Sequence, residues 1–450
     1  MPQDEQQLKF ERMTTRRVER LVAGLAAPSV LSMLITAFYN IVDTFYVGRL
    51  GSSATGAIGV AYSLMAIIQS IGFGFGCGSG ICVSRKLGER DVAEASVVAT
   101  VGFASALAAG ACIALFGFLT LSVLPFWLGS TSTIAPLARR YMSYILVGAP
   151  FFAGSIALNN QLRLQGNARP AVVGIAAGAV LNCLLDPLLI FHFRMGVGGA
   201  GLATMLSQLL SLSLLLLATE RSDAVKLRPC NFRPTRVRYL AILRGGLPSV
   251  GRQGMQSVVN ILLNHVMKAF GDNLFAAMTI VMRLSNFLFA VTAGIGHGFQ
   301  PVCGFNYGAR RFDRVLSAYF FTQRLAVGIL LVLTALLFCL APAILGAFSS
   351  SSEVVRLGVL AQRLQCIGIP FMGFCIIAGM FFQNVGRYVQ ATVVSVSRNG
   401  IFFIPAIIVL PLLCGRPGVM LAQPVADLLS FLLIVWMHLS AVRSLRRSQG

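Results

Sequence analysis

Charged side chains are scarce in this chain. Only 11% of its 450 residues are Asp, Glu, Lys or Arg, whereas 56% are hydrophobic. A soluble domain carries about 25% charged residues. Apolar stretches of about 20 residues follow one another along the sequence, and each is long enough to span a hydrocarbon core about 30 Å thick. The composition excludes an ordinary soluble protein and predicts an all-α integral membrane protein with many spans.

Several motifs of other protein classes are missing. No Walker sequence is present, which argues against an ATP-driven pump. The ten cysteines show no spacing typical of a zinc site or a disulfide framework, and the four histidines are scattered along the chain. We therefore expect neither an enzyme nor a cofactor or structural metal. Residues 1–20 are polar and basic and do not resemble a secretory signal.

Twelve spans are predicted, at 21–47, 55–83, 94–124, 137–161, 169–191, 198–219, 243–269, 275–302, 314–341, 354–384, 388–413 and 417–441. They form a first lobe, 21–219, and a second lobe, 243–441. A cytoplasmic segment, 1–20, precedes them, a cytoplasmic linker, 220–242, joins them, and a basic cytoplasmic tail, 442–450, follows them. The linker is rich in Arg and Lys.

The net charge of +21 is attributed to basic residues in the loops between the spans. Most Lys and Arg residues fall in the segments on the same side as the N-terminus, and basic residues concentrate in cytoplasmic loops. We therefore expect both termini in the cytoplasm, a multi-pass protein of a bacterial inner or plasma membrane, and no binding of nucleic acid.

The two lobes repeat at a fixed offset of 220 residues. Ala-Pro-Ser-Val at 27–30 matches Leu-Pro-Ser-Val at 247–250, and the alternating glycines at 74–78 match those at 294–298. Near the end of each lobe the offset changes by one residue. Each lobe has an even number of spans, which predicts a parallel repeat with a pseudo-two-fold axis along the membrane normal and a central cleft. This architecture predicts a transporter.

Acidic residues inside a membrane mark function, because burying one charge costs about 2.5–3.5 kcal/mol on insertion scales. Three lie clearly within spans: Asp43, Asp186 and Asp427. Asn40 is three residues before Asp43, and Asn182 is four residues before Asp186, so each pair shares a helix face. Thr204 adds a hydroxyl at a similar predicted depth.

This polar set is compatible with two tasks. It could hold a proton on an acid whose pKa is raised by burial and by a like charge, or it could bind a small cation such as Na⁺ through Asp43 and Asp186. Alternatively, each acid satisfies only a local helix contact. The repeat places Leu263 and Ala406 at the equivalent positions of the second lobe. This asymmetry favours a dedicated ion site in the first lobe.

The second lobe has its own charges within spans. Asp427 could form an ion pair with Arg398 or Arg363, or contact a substrate. The basic residues are Arg252, Arg283, Arg363 and Arg398. They could bond to backbone carbonyls and to Asp427, or they could attract anionic groups. The sequence leaves their roles open.

The sequence resembles the MATE family of multidrug and toxic compound extrusion transporters along its whole length. The matching segments are 28–30, 39–44, 47–51, 86–91, 165–170, 182–187 and 307–311. Within the family the chain is similar to the DinF-type branch and to MepA-like exporters. The NorM-type branch has an acid in helix seven, and this chain has none between 243 and 269.

The resemblance implies roles for individual residues. The ion-coupling residues would be Asp43, Asn182, Asp186, Thr204 and Asn40. Pro28 would be a conformational residue, and the drug cavity would include Tyr39, Ser155, Asn159 and Met205. The implied function is a monomeric antiporter in membrane lipid. It would export amphipathic small molecules in exchange for H⁺ or Na⁺ by alternating access.

A different function remains open on the basis of the arginines in the second lobe. A flippase for lipid-linked saccharides or anionic lipids has a related architecture and needs a strongly cationic cavity. The sequence identifies neither the substrate nor its charge, and it does not choose between H⁺ and Na⁺.

Overall fold

The structure, a computed structural model, describes residues 2–221, 225–349 and 351–447. Within its helices, the side chains at 2–5, 40, 41, 43–45, 47, 48, 52, 257, 268, 441 and 443–447 are not described. The described part of the chain contains helices and no β-strand. They are α1 (Pro2–Thr15), α2 (Val18–Gly48), α3 (Ser52–Gly88), α4 (Val92–Leu119), α5 (Leu124–Trp127), α6 (Ala135–Leu164), α7 (Ala168–Pro187), α8 (Val197–Glu220), α9 (Arg236–Ala269), α10 (Asp272–Gly308), α11 (Phe312–Phe348), α12 (Ser352–Asn384), α13 (Tyr388–Val396), α14 (Phe403–Cys414) and α15 (Arg416–Arg447).

The predicted all-α membrane fold is confirmed. Within the described ranges, eleven helical segments are long and apolar enough to cross a membrane. The twelfth long helix, α9, carries Arg244 and Arg252 among its apolar residues. The most buried spans are α6 and α12.

Some predicted spans differ from the observed helices. The connection between the third and fourth spans contains the short helix α5, and α4 ends at Leu119 rather than near 124. The spans predicted at 169–191 and 388–413 are not uniform α-helices. They contain π-helical turns at Leu188–His192 and Ser397–Ile401, respectively. Apolar periodicity did not reveal either turn, because a π-turn inserts one residue without changing composition.

The described chain divides into two compact units, which do not consist simply of the first and second half. Unit 1 comprises Met1–Arg16, Leu31–Gln253 and Gly304–Ala309, and unit 2 comprises Arg17–Val30, Gly254–Cys303 and Arg310–Gly450. Helix α2 therefore begins in unit 2 and continues in unit 1, and α9 does the reverse. The predicted lobe boundaries stay a prediction.

The internal repeat is visible in how the glycine-rich helices pack. In unit 1, a methyl group at Gly74 of α3 would lie 2.6 Å from Cγ2 of Val250 in α9. In unit 2, a methyl group at Gly294 of α10 would lie 2.5 Å from Cα of Val30 in α2. The two glycines are 220 residues apart, and so are the two valines. Each contact therefore joins a glycine of one repeat to the Pro-Ser-Val segment of the other. Small residues at these positions let the helix backbones approach closely.

Backbone conformation repeats in the same register. Gly166 and Gly386 both have positive φ, at 82° and 80°, and Arg90 and Arg310 both lie in the left-handed region at 62° and 57°. A non-glycine residue with such a φ is uncommon. Its occurrence at two positions 220 residues apart shows that the connections after α3 and α10 form the same turn.

Candidate functional site

The first predicted site depends on how α7 and α8 pack within unit 1. The Ser211 hydroxyl donates to the Gly174 carbonyl oxygen at 2.9 Å, and a methyl group at Gly178 would lie 2.9 Å from the Ser207 carbonyl oxygen. Further along the pair, a methyl group at Gly199 would lie 2.7 Å from the Leu189 carbonyl oxygen. The helices are therefore antiparallel neighbours in close contact over most of their length.

Because of these contacts, three predicted site residues lie at a similar height along the helix pair α7 and α8. Asn182 and Asp186 of α7 fall between the contacts at Gly178 and Leu189, opposite the part of α8 that contains Thr204. Asp186 is fully buried, and Asn182 and Thr204 are 4% and 8% exposed. A carboxylate, an amide and a hydroxyl are thus buried in adjoining parts of α7 and α8 in unit 1.

The polar groups of this cluster differ in how they are satisfied. The Thr204 hydroxyl donates to the Ala200 carbonyl oxygen at 3.0 Å, as is common for a helical threonine. Among the described residues, Nδ2 of Asn182 has no hydrogen-bond partner. A buried donor without an acceptor costs about 1–3 kcal/mol. A water molecule beside this amide would supply the missing acceptor oxygen.

The other half of the predicted site lies on α2. The side chains of Asn40 and Asp43 are outside the described residues, so their roles stay predictions. The helix itself is placed by Tyr46, whose ring centroid is 6.4 Å from that of Phe191 in the π-turn after α7. Asp43 precedes Tyr46 by three residues, and Asp186 precedes Phe191 by five. The two helices therefore bring these sequence positions toward the same end of unit 1.

Two of the residues predicted to line a drug cavity form hydrogen bonds to neighbouring helices. The Ser155 hydroxyl donates to Oε1 of Gln208 in α8 at 2.9 Å, and Nδ2 of Asn159 donates to the Ala171 carbonyl oxygen in α7 at 2.8 Å. Both side chains are buried. Their polar groups therefore join α6 to its neighbours. Tyr39 and Met205 are half-buried, and the cavity role of all four stays a prediction.

Sequence reasoning missed other polar side chains that join helices in unit 1. Gln208, which accepts from Ser155, lies one helical turn after Thr204, a spacing that could have identified it. Nε2 of Gln161 in α6 donates to Oγ of Ser79 in α3 at 2.7 Å and to the Ala99 carbonyl oxygen in α4 at 3.0 Å. No local sequence signal predicts these partners, which lie 82 and 62 residues away.

In unit 2, Asp427 forms an ion pair with one of the two predicted arginines. Nε of Arg398 donates to Oδ1 of Asp427 at 2.5 Å, and Nε2 of Gln423 donates to the same oxygen at 3.0 Å. Asp427 is 2% exposed. Arg363 instead places its guanidinium 5.1 Å from the ring centroid of Phe338. The predicted Arg398 pairing is confirmed, and the Arg363 alternative is wrong.

The comparisons with known proteins cover nearly the entire chain. The family model MatE matches residues 28–188 and 248–409. The chain is 24% identical over 441 residues to the multidrug export protein MepA of Staphylococcus saprophyticus, covering 96% of each protein. It is 24% identical over 442 residues to MepA of Staphylococcus aureus, again covering 96% of each.

Solved structures show the same fold. An outward-facing multidrug resistance MATE family transporter of the MOP superfamily matches with a TM-score of 0.91 and 23% identity, covering 97% of this chain and 98% of that one. A MOP superfamily transporter from Pyrococcus furiosus, in which a reversed polarity of the binding pocket suggests a different function, matches with a TM-score of 0.89, 23% identity and the same coverage. With two matched segments in the two repeats and a twelve-helix fold, this chain belongs to the MATE family of transporters.

Proposed function

We propose that this protein is a secondary antiporter that exports amphipathic organic compounds in exchange for protons or sodium ions. The observation that carries the proposal is the buried cluster in unit 1, where Asp186, Asn182 and Thr204 lie at one level of α7 and α8. Asp43 and Asn40 of α2 complete the proposed coupling site. The multidrug export named for the MepA proteins supports the substrate class.

The coupling requires the ion and the substrate to favour different conformations, since a ligand shifts an equilibrium only by its differential affinity for the two states. Protonation of Asp186, or Na⁺ binding beside it, removes or balances a charge that is costly to bury. The ion-loaded site would therefore favour tighter packing of the surrounding helices. The empty, charged site would favour a more hydrated arrangement.

Pro28 is proposed to let α2 respond to this change. It lies inside α2, only a few residues before the helix passes from unit 2 into unit 1 after Val30. Proline cannot donate the backbone hydrogen bond of a regular helix turn, so the helix bends there at lower cost. Alternating access would use this position as a hinge.

Transport in proteoliposomes tests the proposal. Ethidium, an amphipathic aromatic cation, is the probe, and pH and sodium gradients are imposed separately. We expect one gradient to drive ethidium movement in the wild-type protein, which identifies the ion. Asp186→Asn and Asp43→Asn should abolish this driven movement because a neutral amide neither binds nor releases a proton and holds a cation weakly.

The matched control is Asp272→Asn, the same chemical change at an exposed residue in the first turn of α10. It should transport like the wild type. Folding of each variant is checked by size-exclusion chromatography and thermal unfolding. Gradient-driven efflux at the wild-type rate in a folded Asp186→Asn variant would overturn the coupling role.

The flippase alternative needs a strongly cationic cavity. The charge of Arg398 is balanced by Asp427, and the exposed Arg363 contacts an aromatic ring. These contacts favour the exporter. Alanine at Arg252, Arg283, Arg363 and Arg398 separates the two functions, since a flippase would lose activity with most of these substitutions.

A further inference from the structure

Unit 2 contains a cavity that the proposed coupling site does not use. It leaves about 70 Å³ for the centres of water-sized molecules, and its empty space, including the open mouth, is about 630 Å³. One water requires roughly 10–15 Å³ by the first measure. The inner part therefore has room for a polar group of about five non-hydrogen atoms. Its wall includes the amide side chains of Gln256, Gln365, Asn399 and Gln423, the charged Arg398 and several apolar side chains.

Several amide side chains that line the cavity are fixed by hydrogen bonds. Nδ2 of Asn399 donates to Oε1 of Gln256 at 2.9 Å. Nε2 of Gln365 donates to the Met420 carbonyl oxygen at 3.3 Å, and Gln423 bonds to Asp427. Asn399 and Gln365 bond to other helices and Gln423 bonds within α15, so the orientation of these amides is set before a ligand arrives.

Among the described residues that line the cavity, Arg398 is the one that carries a charge, and its orientation is also fixed. Asp427 lies behind it and accepts from its Nε at 2.5 Å. The two Nη atoms of Arg398 have no hydrogen-bond partner among the described residues, and its side chain is 16% exposed. A guanidinium held by Nε presents its outer N–H groups in a planar fork, the geometry that matches a carboxylate.

The backbone at this point is unusual as well. Arg398 and Asn399 belong to the π-helical turn Ser397–Ile401, which separates α13 from α14. Such turns occur often at functional sites, because the inserted residue redirects neighbouring side chains. Here the turn coincides with the two residues that contribute charge and an amide to the same cavity.

Part of the cavity wall is apolar and adaptable. Met278 and Met282 lie one turn apart on α10, and Phe289 and Phe403 add two aromatic rings. Methionine and aromatic side chains accommodate apolar ligands of different shapes. This wall suits the aromatic or aliphatic body of an amphipathic molecule.

We propose that this cavity binds amphipathic organic molecules through a carboxylate, which accepts hydrogen bonds from the outer N–H groups of Arg398. The surrounding amides orient the ligand, and the methionine and phenylalanine side chains contact its apolar body. A cationic headgroup fits poorly, because no acidic side chain is among the described residues that line the cavity, and Asp427, beside Arg398, already accepts two hydrogen bonds. The proposal concerns equilibrium binding and does not depend on ion coupling in unit 1.

Three probes with the same apolar body test the proposal: 1-naphthoate, 1-naphthamide and 1-naphthylmethylammonium. Binding to the purified full-length protein in detergent is measured by isothermal titration calorimetry, with no gradient present. Naphthoate should bind about tenfold or more tightly than the ammonium probe, with the amide between them. Equal affinities, or tighter binding of the ammonium probe, would overturn the proposal.

Variants then locate the binding. The double variant Arg398→Gln with Asp427→Asn removes both charges while keeping hydrogen-bonding groups of similar size. It should weaken naphthoate binding about tenfold and change naphthamide binding by about twofold or less. Asp427→Asn alone leaves the arginine charge unbalanced and should strengthen naphthoate binding.

The matched control is Arg363→Gln, at an exposed arginine of unit 2 that does not line the cavity. It should bind naphthoate like the wild type. All variants are first shown to unfold cooperatively on heating. If the folded double variant kept its preference for naphthoate, or if Arg363→Gln lost it to the same extent, the site would be elsewhere and the assignment would be wrong.

Discussion

Single residues in this protein differ in how they make a buried charge tolerable. Asp427 receives hydrogen bonds from Arg398 and Gln423, so its charge is balanced within unit 2. Asp186 lies instead near the amide of Asn182 and the hydroxyl of Thr204 in unit 1. Acids inside spans are rare enough for the sequence to identify both, but their different partners suit different roles. Asp427, with these two partners, positions its arginine, whereas we propose that Asp186 exchanges an ion.

A lysine outside the spans leads to a pH-dependent prediction. In α1, Nζ of Lys9 donates to Oδ1 of Asn167 at 2.8 Å. Burial, together with the nearby Arg12, lowers the pKa of Lys9 from 10.5 to about 8. When α1 detaches, the lysine regains its ordinary pKa. Between pH 8 and 10.5 the detached form binds more protons, so attachment of α1 becomes more favourable as the pH rises through this window.

Hydrogen exchange of the α1 backbone amides, corrected for the intrinsic effect of pH, measures this change. Protection should increase from pH 8 to 10.5 in the wild type, and the increase should disappear in Lys9→Met. Gln7→Met, at an exposed position of the same helix, is the control and should keep the increase. An identical pH response in wild type and Lys9→Met would show that another group is responsible.

At the scale of helices, glycine residues allow neighbouring helices to pack closely. Alternate glycines of α3 face two different neighbours in unit 1, with Gly72 and Gly76 against α6 and Gly74 and Gly78 against α9. The string of glycines is therefore explained by helix packing. Apolar side chains alone provide little driving force between helices in lipid, so backbone proximity provides much of the contact energy.

A single methyl group tests this packing. At Gly78 it would lie 2.0 Å from the Ile242 carbonyl oxygen, a backbone atom that cannot move independently. Gly78→Ala should destabilise the protein by about 1–3 kcal/mol or more through overpacking. Thermal unfolding in detergent, followed by tryptophan fluorescence, should show a lowered midpoint.

Gly328→Ala is the matched control, because a methyl group there meets no atom within 4 Å. Gly328 lies inside α11, where alanine is favoured over glycine by roughly 0.5–1 kcal/mol. Its midpoint should stay the same or rise slightly. A midpoint for Gly78→Ala equal to that of Gly328→Ala would contradict the packing described for α3 and α9.

At the scale of the whole molecule, the orientation in the membrane remains a prediction from the basic residues. Two native cysteines can test it, because both are exposed and lie in different parts of the chain. Cys230 belongs to the 3₁₀ turn Pro229–Asn231 between α8 and α9, and Cys414 ends α14. With the N-terminus in the cytoplasm, Cys230 would face the cytoplasm and Cys414 the outside.

Two variants, each keeping one of these cysteines and no other, are treated with a membrane-impermeant maleimide in intact cells. Cys414 should react, and Cys230 should react only after the membrane is permeabilised. Labelling of Cys230 in intact cells, without labelling of Cys414, would reverse the proposed topology.

The sequence by itself determined the fold class, the number of spans, the repeat and the acids that mark candidate sites. These are properties of composition and register, because a hydrocarbon core demands long apolar helices and makes each internal charge costly. The left-handed conformation that Arg90 and Arg310 share in the structure follows the same 220-residue offset.

Tertiary structure alone decided which residues meet. Asp427 pairs with Arg398 and not with Arg363. The side chains of Ser155 and Asn159 bond to neighbouring helices. A π-turn brings Arg398 and Asn399 to one cavity. These outcomes depend on contacts between residues far apart in sequence and on one inserted residue in a helix. The hydropathy pattern reveals neither of them. The division of α2 and α9 between two units has the same origin, since it arises from glycine-mediated packing of helices that are distant along the chain.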